Sequence, residues 1–322
     1  MNNRANAHHR RKRLIVTKLS TLVTKGLRAA GLTLAVAAPL FAAPAFAQDA
    51  ATEAARALLP AKYRDAGALN VGASTVYAPH SFFKEGTTEF TGYEIELFNA
   101  VTEILGVKPV YTEAPFQQLI AGVKSGRSDV SLGDLGDNDL RREQVDFIDH
   151  TRLTFQLLID EADKDSIKTV FDLCGRDLGV VQGTTNIIFK ALSQCESKGL
   201  KPANFIEFPD ATAKDQAIQS GRLPRADISA TAVGRFREAA GLNPGQILVP
   251  APELGDLYIG FIVDKGNAEL ASAIEAALQI LFDNGKYAEI LAAYNISDLN
   301  LEAPGVNIGQ NASNWVQPKP KS

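Results

Sequence analysis

The sequence predicts an α/β protein of two domains built on mixed, mainly parallel sheets. Three observations lead there. From residue 69 onward short apolar segments alternate with amphipathic helical ones, the pattern of strands wrapped by helices. The chain is longer than one hydrophobic core usually supports, at 322 residues, which favours two domains. Pro- and Gly-rich stretches, NPGQ at 243–246 and PAPELGD at 250–256, interrupt the pattern where a linker would. No tandem repeat is apparent.

The N-terminus is distinct from the rest. Residues 1–47 hold Arg4, Arg10, Arg11, Lys12, Arg13, Lys18, Lys25 and Arg28 and no acid, and they lead into the apolar AAGLTLAVAAPLFAA of 29–43. Small residues Ala45 and Ala47 then bracket a cleavage point before Gln48. This order of basic, apolar and small-residue regions predicts a secretory signal, with an uncleaved membrane anchor as the alternative. Removing it takes eight of 33 basic residues and leaves 25 against 37 acidic ones, a net charge of −12 on 275 residues. That balance argues against a nucleic-acid or anionic-membrane partner. No Cys stands at the cleavage point to carry a lipid, so the expected location is the periplasm.

Expected strands are LNVGA (69–73), VKPVY (107–111), DVSLG (129–133), FQLLI (155–159), LGVV (178–181), NFIEF (204–208), ADISA (226–230), ILV (247–249) and YIGFIV (258–263). Helices fill the gaps. Ile95, Phe98, Val101 and Leu105 form one apolar stripe, Phe116, Leu119, Ile120 and Val123 a second, and Tyr287, Ile290, Leu291 and Tyr294 a third. Beyond Leu299 the chain is polar, Pro-bearing and aperiodic, which predicts a loosely ordered tail.

Cys174 and Cys195 are the only cysteines. In an oxidising compartment the pair reads as a disulfide, two buried free thiols being the alternative. Ile188, Ala191, Leu192 and Cys195 share one helical face, which brings Cys195 back toward the strand that Cys174 precedes.

No enzyme constellation stands out. The two histidines beyond the signal, His80 and His150, have no partner at metal-ligand spacing, and GxSxG, HExxH and P-loop patterns are absent from the sequence. No cofactor or metal is expected. His80, next to Ser81, Phe82 and Phe83, reads as a pocket-wall or packed residue rather than a general base. Arg141 in DLRREQVDF has the planar fork that pairs with a carboxylate, although an Arg in a polar run is ordinarily solvated. QGTT (182–185) follows a strand and opens a helix. Its N–H groups suit an anion, while on local grounds it reads as an ordinary Thr N-cap.

In order along the chain, LNVGASTVYAPHSF, TGYEIELFNAVTEILGVKP, FQQLIAGVKSGRSDV, RREQVDFID, LGVVQGTT, SGR with Asp227, YIGFIVDKG and FDNGKYAEIL resemble the bacterial extracellular solute-binding proteins of the polar amino acid type that serve ABC importers. The resemblance spans about Leu69 to Tyr294. It implies a two-lobed, type II periplasmic-binding-protein fold with a double-crossover hinge, and closure around a small carboxylate-bearing ligand. Implied boundaries are a signal at 1–47, a lead segment at 48–68, lobe 1 at 69–156 and 257–296, lobe 2 at 157–256 and a tail at 297–322. By the same resemblance Arg141 takes the ligand carboxylate with Thr185 and Thr184, and Tyr77 and Phe116 wall the ligand side chain, each of these two rings also having a plain core reading. The implied partners are the ligand and an inner-membrane ABC permease, with the protein a monomer.

Three positions depart from the family pattern. Asp134 and Gly136 stand where Gly or Ser and Ser or Thr are usual. The lobe 2 Asp that receives the ligand ammonium falls on Ala232. Asp134, facing the cleft, would supply that charge from lobe 1 instead. Ser74 stands where binders of Lys-like ligands place Asp. Two further readings of the fold are a periplasmic dehydratase acting on prephenate or arogenate, and a binding protein that signals to a receptor.

Overall fold

The computed structural model describes residues 43–75, 77–183 and 191–311. The expected signal lies outside these residues except for 43–47, and Thr184 and Thr185 lie outside them as well.

Helices α1 (Ala43–Leu58) and α2 (Ala61–Ala66) precede strand β1 (Ala68–Ala73). A short β2 (Phe82–Phe83) and β3 (Phe90–Thr91) ribbon leads to α3 (Tyr93–Leu105). All four residues of the first stripe are buried on α3, and the helix stops where Gly106, at φ 74, turns its N–H onto the carbonyls of Thr102 and Glu103. Strand β4 (Lys108–Glu113), helix α4 (Leu119–Lys124), strand β5 (Val130–Leu132), the short α5 (Asp139–Arg142) and strand β6 (Val145–Leu153) complete the outgoing path. The second stripe packs in a cluster of its own against Leu135, Val145, Phe147 and Ile262.

One residue, Thr154, separates β6 from β7 (Phe155–Asp160), the first strand of the second lobe. There β8 (Asp177–Val181) pairs in parallel with β9 (Asn204–Phe208), and α6 (Ala211–Gln219), β10 (Ala226–Ala230), α7 (Thr231–Ala239) and β11 (Gln246–Pro250) follow. Residues 251–256 return the chain to β12 (Leu257–Asp264), α8 (Ala268–Asp283) and α9 (Lys286–Ala293). At the crossing Thr154 and Thr231 share a hydroxyl hydrogen bond of 2.8 Å, and the Thr231 N–H donates to the Thr154 carbonyl.

With β13 (Asn300–Val306) at its edge, the large sheet runs β13-β6-β12-β5-β1-β4, and the small one β10-β7-β11. Both lobes are α/β and the first sheet is mixed, as expected. The prevalence of parallel pairing is not: β1 is parallel to β4 and β5, but β12, β6, β13, β7, β10 and β11 pair antiparallel. A chain that crosses twice between lobes enters each sheet from the far side, and that reverses the returning strands.

Besides the two-residue strands β2 and β3, two elements had no counterpart in the strand reading. Strand β6 is almost wholly buried yet carries Asp146, Asp149, His150, Thr151 and Arg152, so neither an apolar run nor an alternation marks it. The second is β13 (Asn300–Val306), at the edge of β6, which corrects the expectation of a loose tail from Leu299 for residues up to 311. Here hydrogen bonds replace hydrophobicity: Asn307 exchanges backbone and side-chain bonds with Phe147, Leu301 N–H reaches the Tyr287 hydroxyl, and Gly309 N–H donates to both Asp137 and Asp149.

The expected disulfide is present. Cys174 follows the turn Val170–Leu173 and joins Cys195 across a Cα separation of 5.8 Å, with Cys195, Leu192 and Ala191 all buried in the second lobe's core. Ile188, the fourth residue of that face, lies outside the described residues.

Candidate functional site

A cavity of about 100 Å³ lies between the lobes. Tyr77, Phe116 and Asp134 line it from the first lobe, and Val181, Lys214 and Ser229 from the second. A larger cavity of about 430 Å³ shares Tyr77, Lys214 and Ser229 and continues along the second lobe past Asp215, Asp227 and Arg237. The sequence-expected aromatic walls therefore meet. Their rings stand edge to face at 5.7 Å, a favourable contact of the ring quadrupoles.

Asp134 reaches the cavity because of its backbone. Gly133 (φ 126) and Asp134 (φ 62) both have positive φ, a region that Asp tolerates better than most residues. A Cβ at Gly133 would sit 2.9 Å from the Ser74 side chain, so glycine permits the close approach and Asp134 is turned into the cleft. Its N–H donates to Glu94 Oε2 at 2.9 Å and its Oδ1 lies 3.5 Å from His80 Nε2. Burial pushes the Asp134 carboxyl up to about 6; His80 and Arg141 oppose that rise and Glu94 adds to it.

Arg141 is positioned by α5, whose N-cap Asn138 accepts the Arg141 N–H at 3.0 Å. The side chain is buried, with its guanidinium carbon 5.5 Å from the Phe116 ring centre. Nη1 donates to the Gly136 carbonyl and Nη2 to the Gly183 carbonyl, each at 2.7 Å. The second bond crosses from one lobe to the other. Burial lowers the guanidinium to about 10 against the pull of Asp134, Asp137 and Tyr77, which leaves it charged at neutral pH. Arg141 and Gly136 sit beside the lining of the inner cavity rather than on it. Gly136 contributes a carbonyl to Arg141, a part the sequence reading did not foresee.

Ala232 is buried among the first lobe's core residues, so the position that would carry a lobe 2 acid is packed shut. Ser74 lies behind Gly133 and is buried. The sequence reading missed two features. Lys214 and Asp227 pair at 2.5 Å on the cavity wall; on α6, Lys214 reads locally as a solvated residue. Behind Asp134, the side chains of Glu94, His150 and His80 are each no more than 1% exposed. Glu94 sits at a position of α3 that periodicity alone assigns to the helix start.

The sequence profile of the bacterial extracellular solute-binding proteins, family 3, matches residues 69–296. The chain belongs to this family. Among its relatives, the arginine-binding protein ArgT of Corynebacterium glutamicum is 28% identical over 259 residues, covering 78% of this chain and 82% of the relative. The lysine/arginine/ornithine-binding periplasmic protein of Escherichia coli is 28% identical over 231 residues, covering 70% and 86%. An ancestral arginine-binding protein bound to arginine superposes with a TM-score of 0.62 at 27% identity, covering 71% of this solute-binding protein and 98% of that chain. The two-lobed fold of this family is thus the fold observed.

Proposed function

We propose that this solute-binding protein captures an amino acid or related small carboxylate between its lobes and presents the closed form to an ABC permease. The observation that carries the reading is that the first lobe brings to the cleft both a buried cationic Arg141 and an acid, Asp134, that lines the cavity. These are the two charges a zwitterion needs. Arg141 takes the ligand carboxylate: the bonds to Gly136 and Gly183 use two of the five N–H donors a guanidinium carries. Asp134 takes the ammonium group, replacing the acid that is absent at Ala232. Contacts from both lobes make closure favourable when ligand is present. The same bond from Arg141 to Gly183 couples the ligand's anchor to the second lobe.

The export reading belongs with this one: residues 1–47 are removed after Ala47, and N-terminal sequencing of exported protein that returned Met1 would contradict it. The cleft is read as a binding site without turnover. Formation of product from prephenate or arogenate would overturn that.

A thermal-shift screen over amino acids, opines, dicarboxylates and polyamines identifies the ligand, because a ligand at a hundred times its Kd adds about 2.7 kcal/mol of stability. Arg141→Ala should then weaken binding by about 2 to 5 kcal/mol, on the order of thirty- to several-thousand-fold, since it removes charge-assisted bonds and strands the ligand's charge. A folded Arg141→Ala protein that binds within about threefold of the parent, well inside the loss expected of a charge-pair truncation, would sink the carboxylate-clamp reading.

A further inference from the structure

We propose that His80 sets the charge and aim of Asp134, and that the pair selects ligands carrying a cationic nitrogen, with one proton released as such a ligand binds in mildly acidic solution. This rests on the reading of Asp134 as the ammonium acceptor.

His80 is clamped before its ring is considered. Tyr93 N–H donates to the Pro79 carbonyl and Glu94 N–H to the His80 carbonyl, and a Cβ at Gly92 would meet the His80 carbonyl oxygen at 2.4 Å, so only glycine allows the approach. Its Nδ1 is 2.7 Å from the Tyr93 hydroxyl, which leaves Nε2 facing Asp134 Oδ1 at 3.5 Å. The chain of polar atoms continues inward. Tyr93 Oη lies 3.3 Å from Thr151 Oγ1, Thr151 Oγ1 is 2.6 Å from His150 Nδ1, and His150 Nε2 is 3.2 Å from Glu94 Oε1. Glu94 Oε2 returns to the start by accepting the Asp134 N–H.

Two proton arrangements are open at the Asp134 end of this circuit. In one, His80 carries its proton on Nδ1 and donates to Tyr93, so Nε2 is an acceptor and Asp134 must be protonated to bond it. In the other, the Tyr93 hydroxyl donates to Nδ1, the His80 proton sits on Nε2, and an ionised Asp134 accepts it. The Tyr93 hydroxyl serves either by rotating, donating to Thr151 in the first and to His80 in the second, where its 3.3 Å contact with Thr151 carries no proton. A ligand ammonium arriving at Asp134 favours the ionised form, and the proton Asp134 held leaves to solvent.

Among the described residues, the charged groups that face Asp134 come from both lobes. His80 and Tyr77 come from the loop before β2, Glu94 from α3 and Arg141 from α5, while across the cleft Lys214 is occupied by Asp227. Burial would raise the Glu94 carboxyl, but His150, His80 and the Asp134 N–H hold it below its ordinary range; burial keeps His150 low despite Glu94. Asp134 is therefore the acid of the circuit that changes charge near neutrality.

The test uses the full-length exported protein. Carbon-13 carboxyl titration without ligand, assigned through Asp134→Asn, should give a midpoint near 6 for Asp134. Calorimetry with the ligand from the screen, in buffers of different ionisation heat, should show about three quarters of a proton released at pH 5.5 and none at pH 8, with affinity falling about tenfold per pH unit well below the midpoint. His80→Phe should move the midpoint up and weaken binding at pH 7 by about tenfold or more, as loss of a charge-assisted bond does. His80→Gln, whose amide can still donate to Asp134, should restore affinity. Asp134→Asn should abolish the proton release. A midpoint below 4.5, or a folded His80→Phe with unchanged midpoint and pH profile, overturns the inference. If Arg141→Ala loses binding while the parent protein releases no proton, His80 is only packed and the carboxylate clamp stands by itself.

Discussion

The two lobes bury their cores by different means, and the contrast explains where the chemistry sits. The first lobe closes a six-stranded sheet under α1, α3, α8 and α9, with Phe98, Leu97, Val101, Ile274 and Leu278 fully buried in one continuous cluster. The second has a three-stranded sheet and a separate two-stranded pair, over a smaller core that includes Cys195. A large core can offset the cost of burying Glu94, His150, His80 and Asp149. The small one is stapled, and its side of the cleft carries charges as exposed pairs, Lys214–Asp227 and Arg237–Asp215, each member more than a tenth exposed. The lobe with the larger core holds Asp134 at positive φ and the desolvated groups; the other supplies the facing wall of the cleft.

That comparison is sharpest where the staple is removed. Replacing Cys174 and Cys195 together by Ser opens a loop spanning 21 residues and should cost about 3 kcal/mol by loss of the chain constraint. Hydrogen exchange should show the loss in β7–β11 and leave β1, β5 and β12 protected. Uniform destabilisation of both lobes would contradict the idea of two separate cores.

The first lobe's burden has the opposite sign. The Asp134 pKa rises on folding from 3.8 to about 6, so the contribution of this group is intact below pH 4 and lost as pH rises through 6. Asp134→Asn should therefore stabilise the ligand-free protein at pH 8 by about 3 kcal/mol, one pKa unit being about 1.4 kcal/mol, and should be neutral at pH 3.5. Denaturant unfolding at the two pH values, with unchanged slopes, checks it. Equal effects at both would show that the change acts through packing.

A smaller effect is expected at the tail. Gly309 N–H bridges Asp137 and Asp149 at 3.1 Å each, and a Cβ there would stand 2.3 Å from Asp137 Oδ2. Burial raises both carboxyls, Asp149 well above its ordinary value, and this favours one shared proton between them. Gly309→Ala should cost about 1 to 2 kcal/mol, as overpacking does, and should speed proteolysis of the chain beyond α9. A cleavage rate equal to the parent's would show that the tail docks without this contact.

Much of the fold was legible locally. Strands β1, β4, β5, β7, β8, β9, β10, β11 and β12 carry β-branched or apolar runs bounded by turn residues, and the stripe on α3 has helical spacing. Tyr77 and Phe116 were expected on the cleft from resemblance and line it, as does Asp134. What could not be read was polarity that is satisfied at a distance. Strand β6 looks too polar to be central because Asp149 and His150 find their partners in Gly309 and Glu94, far along the chain. Strand β13 looks like a tail because Asn307 and Leu301 are held by Phe147, Asp146 and Tyr287.

The sequence by itself determined the α/β class, the cysteine pair and the family, since each rests on residue type, local period or order along the chain. The tertiary structure alone decided the antiparallel pairing of the returning strands, the bond of Arg141 to Gly183 across the cleft and the circuit from Asp134 to Glu94. The physical reason is the same in each case. Hydrogen bonds and charges between residues tens of positions apart leave no local period, and their energy depends on a desolvation that exists only once the chain has folded.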